Sequence, residues 1–332
     1  MNVVQRFKAL MAFEPVDRLP RVEWAPWWNQ TLERWHGEGL PADLSDTVAV
    51  QRYFGLDPLR QCRLLPRRWT FPDTGRHGYG PVADARDYEA VRPHLYPSLG
   101  EDPRGARLGE WIEDQRRGEQ VVWLTVDGFF WFPRTLFGIE RHLYAFYDQP
   151  DLMHRMNADL AEYIVGVLEE VGRIGAPVFM TLAEDMSYNH GPMISQALFE
   201  EFLAPYYRRV VPRARELGTL VVVDSDGDVS AMVPWFAEVG VEAFLPLERQ
   251  AGVDAGVLRR AHPRLRMIGH FDKMTMACGE GAMRAEFERL LPVMRTGGFL
   301  PSVDHQTPPG VSLEAYRTYV GLLAEYTERA AE

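Results

Sequence analysis

The chain has 332 residues, of which 46% are hydrophobic and 25% charged, so its composition is that of a globular protein with a large apolar core. Its 36 basic and 47 acidic residues give a net charge of −11 without a basic cluster, which excludes nucleic acid and anionic membranes as expected partners. With two cysteines, no signal-peptide pattern and no apolar run long enough to cross a bilayer, we expect a cytoplasmic protein that acts on a small molecule.

Short apolar strands alternate with amphipathic helices along most of the chain. The first element is a helix, because Val3, Phe7 and Leu10 recur on one helical face. An eighth strand is expected in the irregular, Pro- and Arg-rich insertion over about residues 56–110. The other strands are predicted at residues 21–23, 121–126, 177–182, 220–223, 242–247, 265–269 and 299–303.

This alternation predicts a parallel sheet, which is either closed as a (β/α)8 barrel or open and doubly wound. No GxGxxG motif follows the first strand, which disfavours a dinucleotide-binding open sheet. In a closed barrel the carboxyl ends of all strands face one cavity, where active sites of this fold lie.

Every predicted strand ends in an ionisable residue, and most of these residues are acidic. A ring so rich in carboxylates needs protonated carboxyl groups, a metal ion or a cationic substrate to hold it together. The residues at the strand ends are Glu23, Asp127, Glu184, Asp185, Asp224, Asp226, Glu248, His270, Asp272, Asp304 and His305.

The segment Val221–Asp228 concentrates three carboxylates directly after an apolar strand. In an extended segment, Asp224 and Asp226 point to the same side, so both can reach one ion. His305, after the last strand, would supply a nitrogen to the same point. Two carboxylates and one imidazole form a three-ligand metal site with an open position, and Asp228 is expected to cap the following helix.

Aromatic side chains follow the first and third strands in loops that should overhang the cavity. They indicate a broad, partly apolar pocket, to which Trp24 and Trp131 belong. Tyr188 and His190 lie after the strand at 177–182 and are expected to position a substrate.

Several segments resemble the uroporphyrinogen decarboxylase superfamily, whose members are (β/α)8 barrels. The resemblance covers nearly the whole chain and implies one domain over residues 1–332, an α/β TIM barrel with an N-terminal helical extension, assembled as a homodimer. The matching segments are Phe13–Pro20, similar to the family's GEPVDRVP; Ser187–Ser195 with Phe199, Phe202 and Pro205-Tyr206; Asp226-Gly227; Gly269-x-x-Asp272; Gly297-Gly298; Asp304-His305; and Pro308-Pro309.

Two branches of that superfamily differ in chemistry. True uroporphyrinogen decarboxylases need no cofactor and bind substrate carboxylates with an Arg-x-x-Gly-Arg motif, whereas this chain has Glu23–Trp28 after its first strand, which would repel a polycarboxylate. In the cobamide-dependent methyltransferases, a His-x-Cys-Gly segment and a Cys on the last strand hold zinc. The resemblance places Asp224–Gly227 and His305 at those positions, with oxygen and nitrogen donors replacing thiolates.

We therefore expect a methyltransferase in which a divalent metal, most simply zinc, is held by Asp224, Asp226 and His305. The metal would activate a thiol or another heteroatom for methyl transfer to or from a corrinoid on a partner protein. The expected catalytic groups are Glu184, Asp185, Asp226 and Glu248, and the expected substrate contacts are Glu23, Trp24, Trp131, Tyr188, His190, His270 and Asp272.

Two alternatives stay open. One is a metal-free decarboxylase of a tetrapyrrole or a smaller acid, in which Asp226 or His305 protonates the carbanion. The other is a non-catalytic barrel that binds a corrinoid or a cationic ligand in its acidic, aromatic-lined mouth.

Overall fold

Seven strands of the computed structural model, which describes residues 1–332, form one curled parallel sheet. Their order in the sheet is β1-β2-β3-β6-β7-β8-β9, so each strand lies beside the next sheet strand of the chain. The two short strands β4 and β5 form a separate antiparallel hairpin. The strands are β1 (Leu59–Leu64), β2 (Val121–Asp127), β3 (Phe179–Ala183), β4 (Ser187–Tyr188), β5 (Gly191–Pro192), β6 (Leu220–Asp224), β7 (Ala243–Leu245), β8 (Arg266–Phe271) and β9 (Phe299–Val303).

Helices occupy most of the segments between the sheet strands, as parallel pairing requires. None of them combines the length and the apolar content needed to cross a membrane. The helices are α1 (Val3–Met11), α2 (Asn29–Gly37), α3 (Thr47–Tyr53), α4 (Ala85–Val91), α5 (Leu108–Arg116), α6 (Trp131–Phe137), α7 (Ile139–Asp148), α8 (Pro150–Ile174), α9 (Gln196–Phe202), α10 (Ala204–Glu216), α11 (Val233–Glu238), α12 (Ala255–Ala261), α13 (Glu280–Met294) and α14 (Leu313–Arg329).

The core lies on both faces of the sheet, and β2 and β3 are buried along their whole length. The N-terminal helix predicted from the sequence forms as α1. Its Phe7 ring stacks on Phe179 with the ring centroids 5.2 Å apart, and Phe179 stacks on Trp123 at 5.4 Å. Residues at the amino ends of the strands are therefore covered by α1, which leaves the carboxyl ends for the site.

The expected first strand at residues 21–23 does not form, and the sheet has seven strands where eight were expected. Pro20 and Pro26 flank this segment and have no N–H to donate to a ladder. The segment nevertheless bridges the two edges of the sheet: the Arg21 carbonyl accepts the Asp57 N–H at 2.8 Å, and Trp24 Nε1 donates to the Val303 carbonyl at 2.6 Å.

The strand hidden in the irregular insertion is β1. The helix that Asp228 was expected to cap begins only at Val233, so Asp228, whose Oδ1 accepts the Ser230 N–H, caps a turn before α11. Ser195 caps α9, and the chain continues into α10 with Pro205 in the first turn of that helix, where proline is tolerated.

Candidate functional site

Three side chains that follow different strands converge at the carboxyl end of the sheet. Asp226 follows β6, Glu248 follows β7 and His305 follows β9. A carboxylate oxygen of each acid and a ring nitrogen of the histidine all lie within 4.8 Å of one another. Asp226 Oδ2 is 3.7 Å from His305 Nε2, and all three side chains are partly buried. We call these three residues the acid–histidine cluster.

The backbone after β6 directs Asp226 toward the other two residues. Gly227 has a φ of 83°, which side-chain-bearing residues rarely adopt, and a Cβ there would lie 2.6 Å from the Cα of Tyr188. The Gly227 N–H donates to Glu248 Oε2 at 2.8 Å, so this glycine also orients the second acid. Ser187 Oγ donates to the Asp226 carbonyl at 2.5 Å, which ties the segment to the β4–β5 hairpin.

Asp224 lies outside the acid–histidine cluster, so the expectation that it is a metal ligand is corrected. The spacing argument assumed an extended chain through Asp226, but β6 ends at Asp224 and the chain turns at Gly227. Burial, followed by the charges of Asp185 and Asp226, raises the pKa of Asp224 well above its ordinary value. Glu248, which was expected to be an acid–base group, is the third member of the cluster in place of Asp224.

Negative charge is concentrated around this cluster. Burial, followed by the charges of Asp185 and Glu248, raises the pKa of Asp226 to about 7. Burial lowers the pKa of His305, and the positive charge of Lys273 acts in the same direction. Lys273 Nζ is 3.2 Å from the fully buried carboxylate of Asp304. Protonation and one ammonium therefore offset part of the repulsion, and a bound cation would offset more.

Asp185 borders the cluster. Its Oδ1 accepts the Asp226 N–H at 3.5 Å, and burial raises the pKa of its carboxyl group. Arg134 Nη1 donates to the Asp185 carbonyl at 3.1 Å. Of the expected catalytic residues beside Asp226 and Glu248, Asp185 is the one that the structure places next to the site.

Glu184 lies outside the acid–histidine cluster, in the buried interior of the protein. Its carboxylate accepts the backbone N–H groups of Phe129, Phe130 and Trp131 at 2.7–3.2 Å, where α6 begins, and also the Tyr207 hydroxyl. Burial raises its pKa to about 7. Because the side chain is fully buried, the expected catalytic role is corrected to that of a helix cap.

Glu23 holds the N-terminal segment in place and does not reach the mouth. Its Oε1 accepts Ser302 Oγ at 2.6 Å, its Oε2 accepts the Tyr316 hydroxyl at 3.0 Å, and the residue is 2% exposed. Burial raises the pKa of its carboxyl group to about 7.

His270 and Asp272 are also placed in the scaffold. His270 is fully buried, with Nδ1 2.8 Å from the Leu247 carbonyl and Nε2 accepting the Ala255 N–H at 3.1 Å. Asp272 caps the turn at 273–278 by accepting the Met274 N–H at 2.9 Å. Burial excludes Glu23 and His270 from the surface that a substrate could reach, which corrects their expected role as substrate contacts, whereas a substrate contact of the partly buried Asp272 stays a prediction.

Four expected substrate contacts remain: Trp24, Trp131, Tyr188 and His190. The Trp24 ring centroid is 6.3 Å from that of His305. The Trp131 ring is partly buried, with the Arg134 guanidinium 5.1 Å from its centroid. Tyr188 and His190 are exposed and stand edge to face at 5.7 Å. Trp24 is therefore the aromatic residue that directly borders the acid–histidine cluster.

Two cationic side chains at this end of the sheet were not predicted from the sequence. Arg63 lies on β1, the strand hidden in the irregular insertion, and its Nη2 is 3.5 Å from Asp127 Oδ1. Arg134 lies on α6 beside Asp185. Together with Lys273, these two arginines make this end of the sheet less uniformly acidic than the strand ends suggested.

Comparisons with known proteins add to this geometry. The family model described as uroporphyrinogen decarboxylase (URO-D) matches residues 134–326, more than half of the chain. A solved methyltransferase from Methanosarcina mazei is similar in fold, with a TM-score of 0.70 and 17% identity over 98% of this chain and 99% of that one.

A protein described as a vitamin-B12-independent methionine synthase from Listeria monocytogenes aligns with 12% identity over 96% of this chain and 97% of that one. Its TM-score of 0.44 is too low to support an argument. A search of curated proteins finds no match.

Proposed function

The chain belongs to the uroporphyrinogen decarboxylase (URO-D) family, and from this premise we propose that it is an enzyme that transfers a methyl group with the help of a divalent metal. The observation that carries the proposal is the convergence of Asp226, Glu248 and His305, whose donor atoms lie within 4.8 Å of one another. The M. mazei protein that shares this fold is described as a methyltransferase, which supports the choice of this reaction.

The donor set fits zinc or a similar ion. Carboxylate oxygen and imidazole nitrogen are ordinary zinc ligands, and three protein ligands with one open position are typical of catalytic sites. The acids come from loops that are already fixed, because the Gly227 N–H holds Glu248 at 2.8 Å. A bound divalent ion would lower the pKa of a substrate thiol or hydroxyl group.

The chain's own residues place the substrate. Trp24, whose ring is 6.3 Å from that of His305, closes one side of the cluster, and Asp185 lies beside Asp226 to receive the proton released by the substrate. A methylated corrinoid would supply the methyl group and would retain the electron pair of the bond that breaks, while the deprotonated substrate heteroatom would be the nucleophile. We propose that the corrinoid is carried by a partner protein, that the enzyme is a homodimer, and that residues 21–24 complete the sheet as a functional barrel.

Decarboxylation is the second candidate, and the family match favours it. In that reaction no metal is needed: either Asp226 or His305, whose Oδ2 and Nε2 atoms are 3.7 Å apart, would donate a proton to the carbon that loses CO2. The chain has Glu23–Trp28 in place of the Arg-x-x-Gly-Arg motif that the resemblance associates with carboxylate binding, which makes a polycarboxylate tetrapyrrole the less favoured substrate.

The proposal is tested by incubating zinc-loaded protein with methylcobalamin and 3-mercaptopropionate and following the loss of methylcobalamin spectroscopically. We expect transfer well above the rate in buffer, reduced on the order of 100-fold in Asp226→Asn because a ligand is lost. The matched control is Asp228→Asn, which changes a nearby carboxylate outside the cluster. A zinc-loaded protein no faster than buffer would contradict methyl transfer, and release of CO2 from uroporphyrinogen III would support the second candidate.

A further inference from the structure

A pair of opposite charges on β1 and β2 lies at the same carboxyl end of the sheet as the acid–histidine cluster. Arg63 stands directly beside Thr125 in the register of the two strands, and Asp127 lies two residues further along β2, so all three side chains are on one face of the sheet. Arg63 Nη2 is 3.5 Å from Asp127 Oδ1. Neither residue takes part in the proposed metal site.

Burying the carboxylate of Asp127 at this position is energetically unfavourable. It is 1% exposed, and neither of its carboxylate oxygens accepts a hydrogen bond. It caps no helix, in contrast to Glu184 on the next strand. Burial raises its pKa, and the charges of Arg63 and Arg67 lower it. A buried carboxylate without hydrogen bonds is tolerated only with a compensating charge, so its one evident task is to hold Arg63.

Arg63 has more hydrogen-bonding capacity than the protein uses. Its side chain is 40% exposed, and its contact with a protein acceptor is the long ion pair with Asp127. A guanidinium carries five N–H donors in a fixed fork. Most of these donors therefore have no protein acceptor and are accessible to a ligand.

The position of the pair relates it to the acid–histidine cluster. Asp127, Ala183 and Asp224 form one row across β2, β3 and β6 in the register of the sheet. With neighbouring strands about 4.8 Å apart, Asp127 and Asp224 are separated by roughly 10 Å. The small side chain of Ala183 in the middle of the row leaves room between them for a ligand.

We propose that Arg63 binds a carboxylate group of the substrate and that Asp127 is a positioning residue for Arg63. The inference rests on the proposed function, because the other end of the same substrate would reach the acid–histidine cluster across the row. A planar guanidinium binds a carboxylate through two parallel hydrogen bonds. Phosphate would place two charges on one tetrahedral group at this acidic end of the sheet, whereas each carboxylate group carries one charge and matches the planar guanidinium, so a carboxylate group is the fitting partner.

The test uses metal-free protein treated with phenylglyoxal, which modifies arginine, in the presence of increasing succinate. Peptide mass spectrometry gives the modification rate of each arginine. We expect succinate to slow the modification of Arg63. Arg104 is the internal control: it is exposed, its Nη1 lies 3.4 Å from the Arg63 carbonyl, and succinate should leave its rate unchanged.

Asp127→Asn supplies the variant. It keeps the size of the side chain but removes the charge that orients the guanidinium, so the succinate concentration that protects Arg63 should rise about tenfold. Asp127→Glu should restore part of the protection, and thermal unfolding verifies that both variants are folded. A purely structural role for Asp127 would change the unfolding temperature and leave the protection as it is in the wild type.

Three results would overturn the inference: equal protection of Arg63 and Arg104, unchanged protection in Asp127→Asn, or protection of Arg63 by inorganic phosphate at lower concentration than by succinate. The assay needs neither metal nor methyl transfer, and in Asp226→Asn succinate should protect Arg63 as well as it does in the wild type. A failure of the proposed function is therefore distinguishable from a failure of this inference.

Discussion

His305 Nε2 lies 3.7 Å from Asp226 Oδ2, although the two residues follow strands that are not adjacent in the sheet. The contact exists because the parallel sheet curls and brings the carboxyl ends of β6, β7 and β9 to one place, where Glu248 joins them. Both proposed reactions, metal-dependent methyl transfer and protonation of a carbon after loss of CO2, depend on this contact.

Glu248 belongs to the acid–histidine cluster and Asp224 does not, so their substitutions should affect zinc binding differently. Glu248→Gln should weaken zinc binding on the order of 100-fold, because it removes a charged donor from the cluster, whereas Asp224→Asn should change the affinity far less. Competition with a chromophoric chelator measures both. If Asp224→Asn weakens zinc binding as much as Glu248→Gln, the ligand set proposed here is wrong.

Gly227→Ala should damage the site without changing a ligand. The added Cβ would lie 2.6 Å from the backbone of Tyr188, and φ is 83° at this residue, so the loop must move and the hydrogen bond to Glu248 is lost. We expect weaker zinc binding together with a stability loss of about 1–3 kcal/mol. Zinc competition and urea unfolding check the two effects. Gly252→Ala is the matched control, because Gly252 also has a positive φ, of 90°, but a Cβ at that residue would meet no atom within 4 Å.

Glu184→Ala should lower the free energy of unfolding, because Glu184 has a structural role and not a catalytic one. It leaves three N–H groups at the start of α6 without an acceptor, which should cost roughly 3 kcal/mol. Urea unfolding measures the loss, and exposed Glu201→Ala serves as the control. A stable Glu184→Ala variant that has lost all methyl transfer would restore the catalytic role first expected of Glu184.

The buried carboxyl group of Glu23 should make stability depend on pH. Its pKa is raised by burial to about 7 in the folded chain and is about 4.3 when unfolded. Between these values the folded state holds a proton that the unfolded state has released, so stability is full below the lower value and falls as pH rises through the higher one. Glu23→Gln keeps hydrogen-bonding groups facing Ser302 and Tyr316 and should reduce this fall.

Urea unfolding from pH 4.5 to 8 measures the effect of Glu23→Gln. The difference in stability loss over this range should amount to a few kcal/mol, since one pKa unit corresponds to about 1.4 kcal/mol. Glu184 shares the raised pKa, so a smaller fall should persist in the variant. An unchanged pH profile in Glu23→Gln, with exposed Glu14→Gln as the reference, would contradict the buried, proton-holding state of Glu23.

Most of the sheet could be predicted from the sequence, because its strands are short apolar runs between turn signals. The exceptions have physical causes. The strand β1 reads Leu59-Arg60-Gln61-Cys62-Arg63-Leu64, and its polar side chains point both toward Thr125 and toward Asp46, which hides the apolar pattern. The segment at 21–23 has strand-like residues but lies between prolines, so it bridges the sheet edges through single contacts and not through a ladder.

The location of the site could be predicted from the sequence, but only some of its residues could be identified. Strand ends identified Asp226, Glu248 and His305, because parallel strands deliver their carboxyl ends to one side. The sequence could not separate them from Glu184 or Glu23, whose partners Tyr207 and Tyr316 come from distant helices. Nor could it show that the chain turns after Asp224, since the left-handed turn depends on Gly227 packing against Tyr188.

Whether Asp226, Glu248 and His305 bind a divalent metal is decided by the zinc content of protein purified without chelator, loaded with zinc and then dialysed to remove unbound ions. We expect close to one zinc per chain in the wild type and in Asp228→Asn, and close to none in Asp226→Asn. A wild-type protein that retains no zinc, or an Asp226→Asn variant that retains as much as the wild type, would contradict metal binding by these residues.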